Sequence, residues 1–287
     1  MSGTLEPNGS GQDRRHLAET LRELRKAAGL SGERLAVRAA MSQSKISRIE
    51  SGKILPSVID VERMLQALEV PTEVARELLT LTRTANIDYA SWRSYARIGI
   101  WRRQSELKAL AESSTTIRQF LPAIPSGLIQ TPDYARAMLT PTIDGEPDYD
   151  VERVVAARLA SQEALGDQSR RFHFLLTEQA VRWQSAEPPV MAAQLHHLID
   201  VSMLTNVELA IIPQGTPVDE PPLNIFVVYD DRLVLVELFS GEIALRDPRD
   251  VTYHLNLFEH FWEPAVKNED ARDLLRSVAQ QFMRDRD

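Results

Sequence analysis

The 287-residue chain contains no cysteine. That excludes disulfides, thiolate nucleophiles and any zinc or iron–sulfur site built on cysteine, and it points to a cytoplasmic setting. Long apolar runs are missing too. None approaches the roughly 20 residues of a membrane-spanning helix, so no membrane partner is expected. The opening MSGTLEPNGSGQD lacks the apolar core of a secretory signal and reads as a disordered leader over residues 1–13. No period of 20–50 residues recurs, which argues against a solenoid. The sequence also lacks G-x-S-x-G, a P-loop, G-x-G-x-x-G and H-E-x-x-H. His254 and His260 are six apart, and the adjacent His196 and His197 point different ways on a helix, so neither pair suits a metal. The expectation is no cofactor, no metal and no enzymatic activity.

What is present is ordinary in amount and uneven in distribution. Hydrophobic residues make up 43% and charged residues 26%, as in many globular proteins, and the net charge is -8. Residues 14–55 nevertheless hold ten Lys and Arg against four Glu. A basic segment joined to an acidic remainder is the asymmetry expected when one part meets a polyanion and the other does not.

Periodicity divides the basic segment into short helices. Leu17, Leu21, Leu24 and Ala28 fall at helical spacing before Gly29, which suits a left-handed cap. Ser31 is placed to cap a second helix with Leu35, Ala36 and Ala39 inward. Ser42 caps a third, with Met41 and Ile46 at the spacing of a hydrophobic staple, and Gly52 stops it. A fourth helix is expected from Pro56 to Leu68 and a fifth from Pro71. Five short helices, the second and third joined tightly, predict a mainly α N-terminal helix-turn-helix domain over residues 14–84. Residues 85–112, with Tyr89, Trp92, Tyr95, Ile98 and Trp101 near i+3 spacing, read as a helical connector. Beyond 113, helices flank clustered strand-like runs (RFHFLLT, VELAIIP, LNIFVVYD, RLVLVEL), with Asp230–Asp231 suited to a tight hairpin. This predicts a larger α+β C-terminal domain over 113–287.

The third helix carries the chemistry. In a helix-turn-helix the first residues of the second helix of the pair reach base edges in the major groove. A Gln amide makes paired hydrogen bonds to adenine N6 and N7, so Gln43 is the leading base reader, followed by Ser44, with Ser47 and Arg48 one turn on. Lys45 and Lys53, and the backbone donors near Ser31 and Ser42, are assigned to phosphates. The expected partner is double-stranded DNA.

The run AGLSGERLAVRAAMSQSKISRIESGK resembles the Xre/Cro-type helix-turn-helix, the fold of the lambdoid repressors. The resemblance spans roughly residues 15–70 and implies that Arg25 and Glu50 form a structural ion pair. The chain departs from that family at Gly32, where Gln is frequent, and at Ala40, where Gly is common in the turn. Further on, IPSGLIQTPDYARAML, ARLASQEAL, VMAAQLHHL and VELAIIP resemble the uncharacterised domain that follows such units in actinobacterial, WhiJ-like regulators. That resemblance covers about residues 105–284, and it implies a small protein partner. Ser126 and Pro188–Pro189 depart from it. Gln130, Thr131, Asp133 and Tyr134 are the candidate polar patch of this domain, although Thr131, Pro132 and Asp133 are equally the residues of a helix N-terminus.

These readings predict a sequence-specific transcriptional regulator. One helix-turn-helix makes few base contacts, so a homodimer on a near-palindromic operator is expected, with the C-terminal domain binding a protein partner or small-molecule effector. Two alternatives remain at this level. One is an antitoxin-like protein-interaction module; the other is an enzyme domain regulated by DNA binding.

Overall fold

The computed structural model describes residues 9–284, with side chains from residue 15 onward except at 98. The chain divides into two units. The first comprises residues 1–89 together with 244–250, the second 90–243 together with 251–287.

In the first unit, α1 (Gly9–Ala27), α2 (Gly32–Arg38), α3 (Gln43–Glu50), α4 (Val58–Ala67) and α5 (Thr72–Ala85) follow the capping signals. The Ser31 and Ser42 hydroxyls accept from Arg34 N and Lys45 N, each at 3.2 Å, and so start α2 and α3. Gly29 and Gly52 take left-handed conformations after α1 and α3. Leu17, Leu21, Leu35, Ile46, Ile49, Val61 and Met64 close a common core. α1 begins four residues before the end of the expected leader, so residues 9–13 are helical; residues 1–8 lie outside the described residues. α4 opens at Val58 and not at Pro56, because Ser57 and Asp60 form a reciprocal capping box.

The expected helical connector is only partly helical. Residues 87–91 form β1 (Ile87–Ser91), and helix resumes as α6 (Trp92–Ile98) and α7 (Ile100–Glu112). Asn86 terminates α5: its side-chain amide, buried, donates to the carbonyls of Thr82 (2.9 Å) and Pro56 (3.0 Å), and the chain leaves in extended form.

In the second unit β2 (Thr116–Leu121), α8 (Pro132–Leu139), α9 (Val151–Ser161), β3 (Arg171–Thr177), α10 (Glu178–Arg182), α11 (Pro188–Val201) and β4 (Val207–Ile212) build a parallel β2–β3–β4 centre by helical crossovers. β3 and β4 carry apolar runs, Phe174–Leu176 and Leu209–Ile212, as expected for strands covered on both faces, whereas β2 includes Arg118 and Gln119. β5 (Phe226–Tyr229) joins β2 antiparallel, and β6 (Leu233–Leu238) joins β5. The β5–β6 hairpin turns at Asp230, whose φ is +53°, and whose carboxylate accepts from Thr115 N and Thr116 N at 2.9 and 2.8 Å. β7 (Gly241–Leu245), α12 (Pro248–Trp262), β8 (Val266–Lys267) and α13 (Asn268–Arg284) complete the chain. The sheet has eight strands in the order β1-β7-β6-β5-β2-β3-β4-β8, and the division between the units falls within β1 and β7. The architecture is a helical head followed by a larger α+β domain.

Candidate nucleic-acid interface

On α3 the apolar and polar residues separate cleanly. Ile46 and Ile49 are buried in the core of the first unit, while Gln43, Ser44, Ser47 and Arg48 are exposed. None of these four side chains has a hydrogen bond or ion pair with another described residue. An amide, two hydroxyls and a guanidinium are thus displayed on one short helix with their donors and acceptors unused. The Met41 N–H bonds Ala36 O at 2.9 Å, which ties the start of α3 to α2 through the turn. Ala40 holds that turn with φ +52°, the left-handed geometry for which Gly is the usual residue. Gly32 leaves open space beside Gln43, whose Nε2 stands 3.9 Å from where a Cβ on residue 32 would lie.

Arg25 and Glu50 form a bidentate pair, Nε–Oε1 and Nη2–Oε2 both 2.7 Å, and Arg25 Nη1 donates to Leu30 O at 2.8 Å. The pair is mostly buried, and the hydrogen bond to Glu50 holds the guanidinium's pKa above its usual value. It links the end of α1 to the end of α3. The expected phosphate contacts differ among themselves. Lys53 is exposed, and its side chain makes no hydrogen bond or ion pair with another described residue. Lys45 is not: its Nζ lies 2.6 Å from the buried Asp60 carboxylate, so a phosphate there competes with an existing ion pair. The Ser31 and Ser42 hydroxyl oxygens are engaged as helix caps.

The polar patch expected in the second unit does not assemble. Tyr134 is fully buried core, and burial pushes its hydroxyl up to about 12. Thr131 caps α8, and Asp133 pairs with Arg136 at 2.8 Å on the surface. Gln130 is buried and faces inward, donating to Pro125 O and accepting from Arg158 Nη1, each at 2.8 Å. Its partner Arg158, absent from the expected set, opens onto a cavity lined also by Arg103, Gln104, Gln119, Glu237 and Glu242. These residues lie on separate elements, and no spacing in the sequence brings them together. Among the described residues no three His, Asp or Glu side chains converge on a metal-sized site, and no helix is long and apolar enough to cross a membrane.

Comparison with known families gives two matches. Residues 16–79 match a helix-turn-helix domain, and residues 104–277 match the domain of unknown function DUF5753. The second match covers more than half of the chain. The chain belongs to the DUF5753 family. In it, the DUF5753 domain follows a helix-turn-helix domain, a module that supports DNA binding. No curated protein matches the chain. Among solved structures, the chain is similar to TrmBL2, an archaeal chromatin protein described as showing a novel mode of DNA binding, with 18% identity and a TM-score of 0.33 over 72% of this chain. The chain covers 66% of the TrmBL2 chain, just under two thirds. It is also similar to NucT from Helicobacter pylori (8% identity, TM-score 0.38, 63% of this chain and 98% of that one). A third is Nuc, a phospholipase D family member from Salmonella typhimurium (11%, TM-score 0.35, 63% and 95%). Likenesses this distant do not bear on function.

Proposed function

We propose that this DUF5753 protein is a sequence-specific transcriptional regulator of the Xre/Cro type. It works in the cytoplasm as a homodimer on a near-palindromic operator, and its DUF5753 domain binds an effector or small protein partner that modulates DNA binding. Catalysis has no part in this reading. The observation that carries it is the set of unused polar groups on α3: Gln43, Ser44, Ser47 and Arg48 stand exposed over a buried Ile46–Ile49 stripe. In this reading Gln43 reads an adenine edge, Arg48 reads guanine or holds a phosphate, and Lys53 holds a phosphate. Lys45 contributes only after leaving Asp60.

The test begins with selection of bound fragments from genomic DNA at defined salt, followed by titration of the selected site. Gln43→Ala is expected to cost about 1–3 kcal/mol on that site and to relax the preference at one position. Lys53→Ala is expected to weaken selected and random duplexes alike and to reduce the salt slope by about one. If both variants bind both kinds of DNA as the parent does, α3 is not the recognition helix.

A further inference from the structure

The second unit holds a partly open cavity of about 310 Å³, at the small end of the range for ligand sites. Its walls come from α6, α7, β2, β5, β6 and α9, with Glu242 of β7 and the loops around Ser126 and Tyr149. Two sets of charges face it, and they differ in how they are satisfied. The first is paired, although the Arg103 Nε, like that of Arg158, is buried without a hydrogen-bond partner. Glu242 accepts from Tyr95 Oη at 2.7 Å and from Arg103 Nη2 at 2.8 Å, and Arg103 also reaches Glu106 at 3.1 Å.

The second set is open. Arg158 gives one Nη to Gln130, but its Nε is buried with no hydrogen-bond partner. The Glu237 carboxylate has no partner among the described residues, nor have the side-chain amides of the buried Gln104 and Gln119. Arg158 and Glu237 are too far apart to pair, yet each feels the other's charge. Burial lowers the Arg158 guanidinium from its usual value, whereas Glu237, on the wall of the same cavity, is exposed. Buried polar groups are normally satisfied, because an unmade hydrogen bond or unpaired charge carries its full desolvation cost. Arg158 Nε is such an unmet group, and with the accessible, unpaired Glu237 carboxylate on the wall of the same cavity it defines a complementary occupant.

We propose that this cavity binds a small zwitterion, with an oxyanion against Arg158, an ammonium against Glu237, and an apolar body against Leu107, Leu128 and Leu235. Gln104 and Gln119 supply the remaining donors and acceptors. A molecule of one charge leaves either Arg158 or Glu237 unanswered, whereas a zwitterion answers both and adds no net charge to the interior. The inference rests on reading the DUF5753 domain as the effector-binding part of the regulator, and it assigns the effector's class.

The test is calorimetric titration of the full-length protein with four probes. L-leucine and ε-aminocaproate are zwitterions of short and long charge separation; caproate and hexylamine carry one charge each. At least one zwitterion is expected to bind about tenfold or more tightly than both singly charged probes. Glu237→Gln preserves shape and is expected to remove that advantage while leaving caproate binding unchanged, with thermal unfolding confirming that the variant folds. The proposal is overturned if neither zwitterion binds at millimolar concentration, if caproate or hexylamine binds as well as the zwitterions, or if Glu237→Gln keeps the selectivity. Operator affinity measured with and without the bound zwitterion separates the two ideas. Binding without any change in operator affinity upholds the site and refutes its regulatory role. Normal operator binding with no zwitterion binding refutes the site alone.

Discussion

Arg25 and Glu50 are 25 positions apart in sequence and joined by two hydrogen bonds in the fold. Their worth comes from where they sit. Both side chains are mostly buried, so removing one leaves the other as an uncompensated charge in a poor solvent. Glu50→Ala is therefore expected to destabilise the helix-turn-helix unit by about 3 kcal/mol, measured by denaturant unfolding. A loss below about 1 kcal/mol, the range of exposed pairs, would show that the bridge is solvent-screened. Gln43 and Arg48 are residues of the opposite kind. Their substitution is expected to leave unfolding unchanged, because their side chains make no hydrogen bond or ion pair with another described residue. Glu237 is a third kind, since no periodicity marks a carboxyl that faces a cavity.

At the scale of elements, capping chemistry made the helical head readable. Ser31 and Ser42 start their helices, and Gly29 and Gly52 follow α1 and α3, because those residue types satisfy or relieve local backbone demands whatever lies further away. Strands depend on partners that a local pattern does not name. β8 has only two residues, β7 (GEIAL) has no marked apolar run, and β1 lies within an aromatic periodicity that suits a helix. Gly241 shows what the pairing requires. A Cβ at that position would lie 2.2 Å from the Ala90 carbonyl oxygen and 2.8 Å from the Ser91 Cα. Gly241→Ala is expected to force the strands apart and cost about 3 kcal/mol, visible as a lowered Tm of the full chain. An unchanged Tm would mean that β1 and β7 separate without cost.

The whole molecule is not two consecutive domains. Residues 244–250 return to the first unit, far in sequence from the helices they support. Asp247 is buried there and accepts from Val58 N at 3.3 Å, covering a donor at the start of α4 that Ser57 leaves unmet. Arg246 and Arg249 add ion pairs to Asp88 and Glu62 at 2.5 and 3.2 Å. Asp247→Ala is expected to destabilise the helix-turn-helix unit by about 1–2 kcal/mol, in the range of lost helix caps, and to speed hydrogen exchange of the α4 amides. Exchange at the parental rate would show that the returning segment contributes nothing to the head.

The sequence alone determined the helical head, the surface that α3 presents and the Arg25–Glu50 link. Helix periods, caps and charge density are local properties, and a resemblance with specific spacing supplied the rest. Tertiary structure alone decided the order of the eight strands, the return of residues 244–250 and the cavity with Arg158 and Glu237 open across it. Those features depend on residues from distant segments meeting in a low-dielectric interior. There, whether a charge is satisfied depends on its neighbours in space, and sequence neighbours carry no record of them.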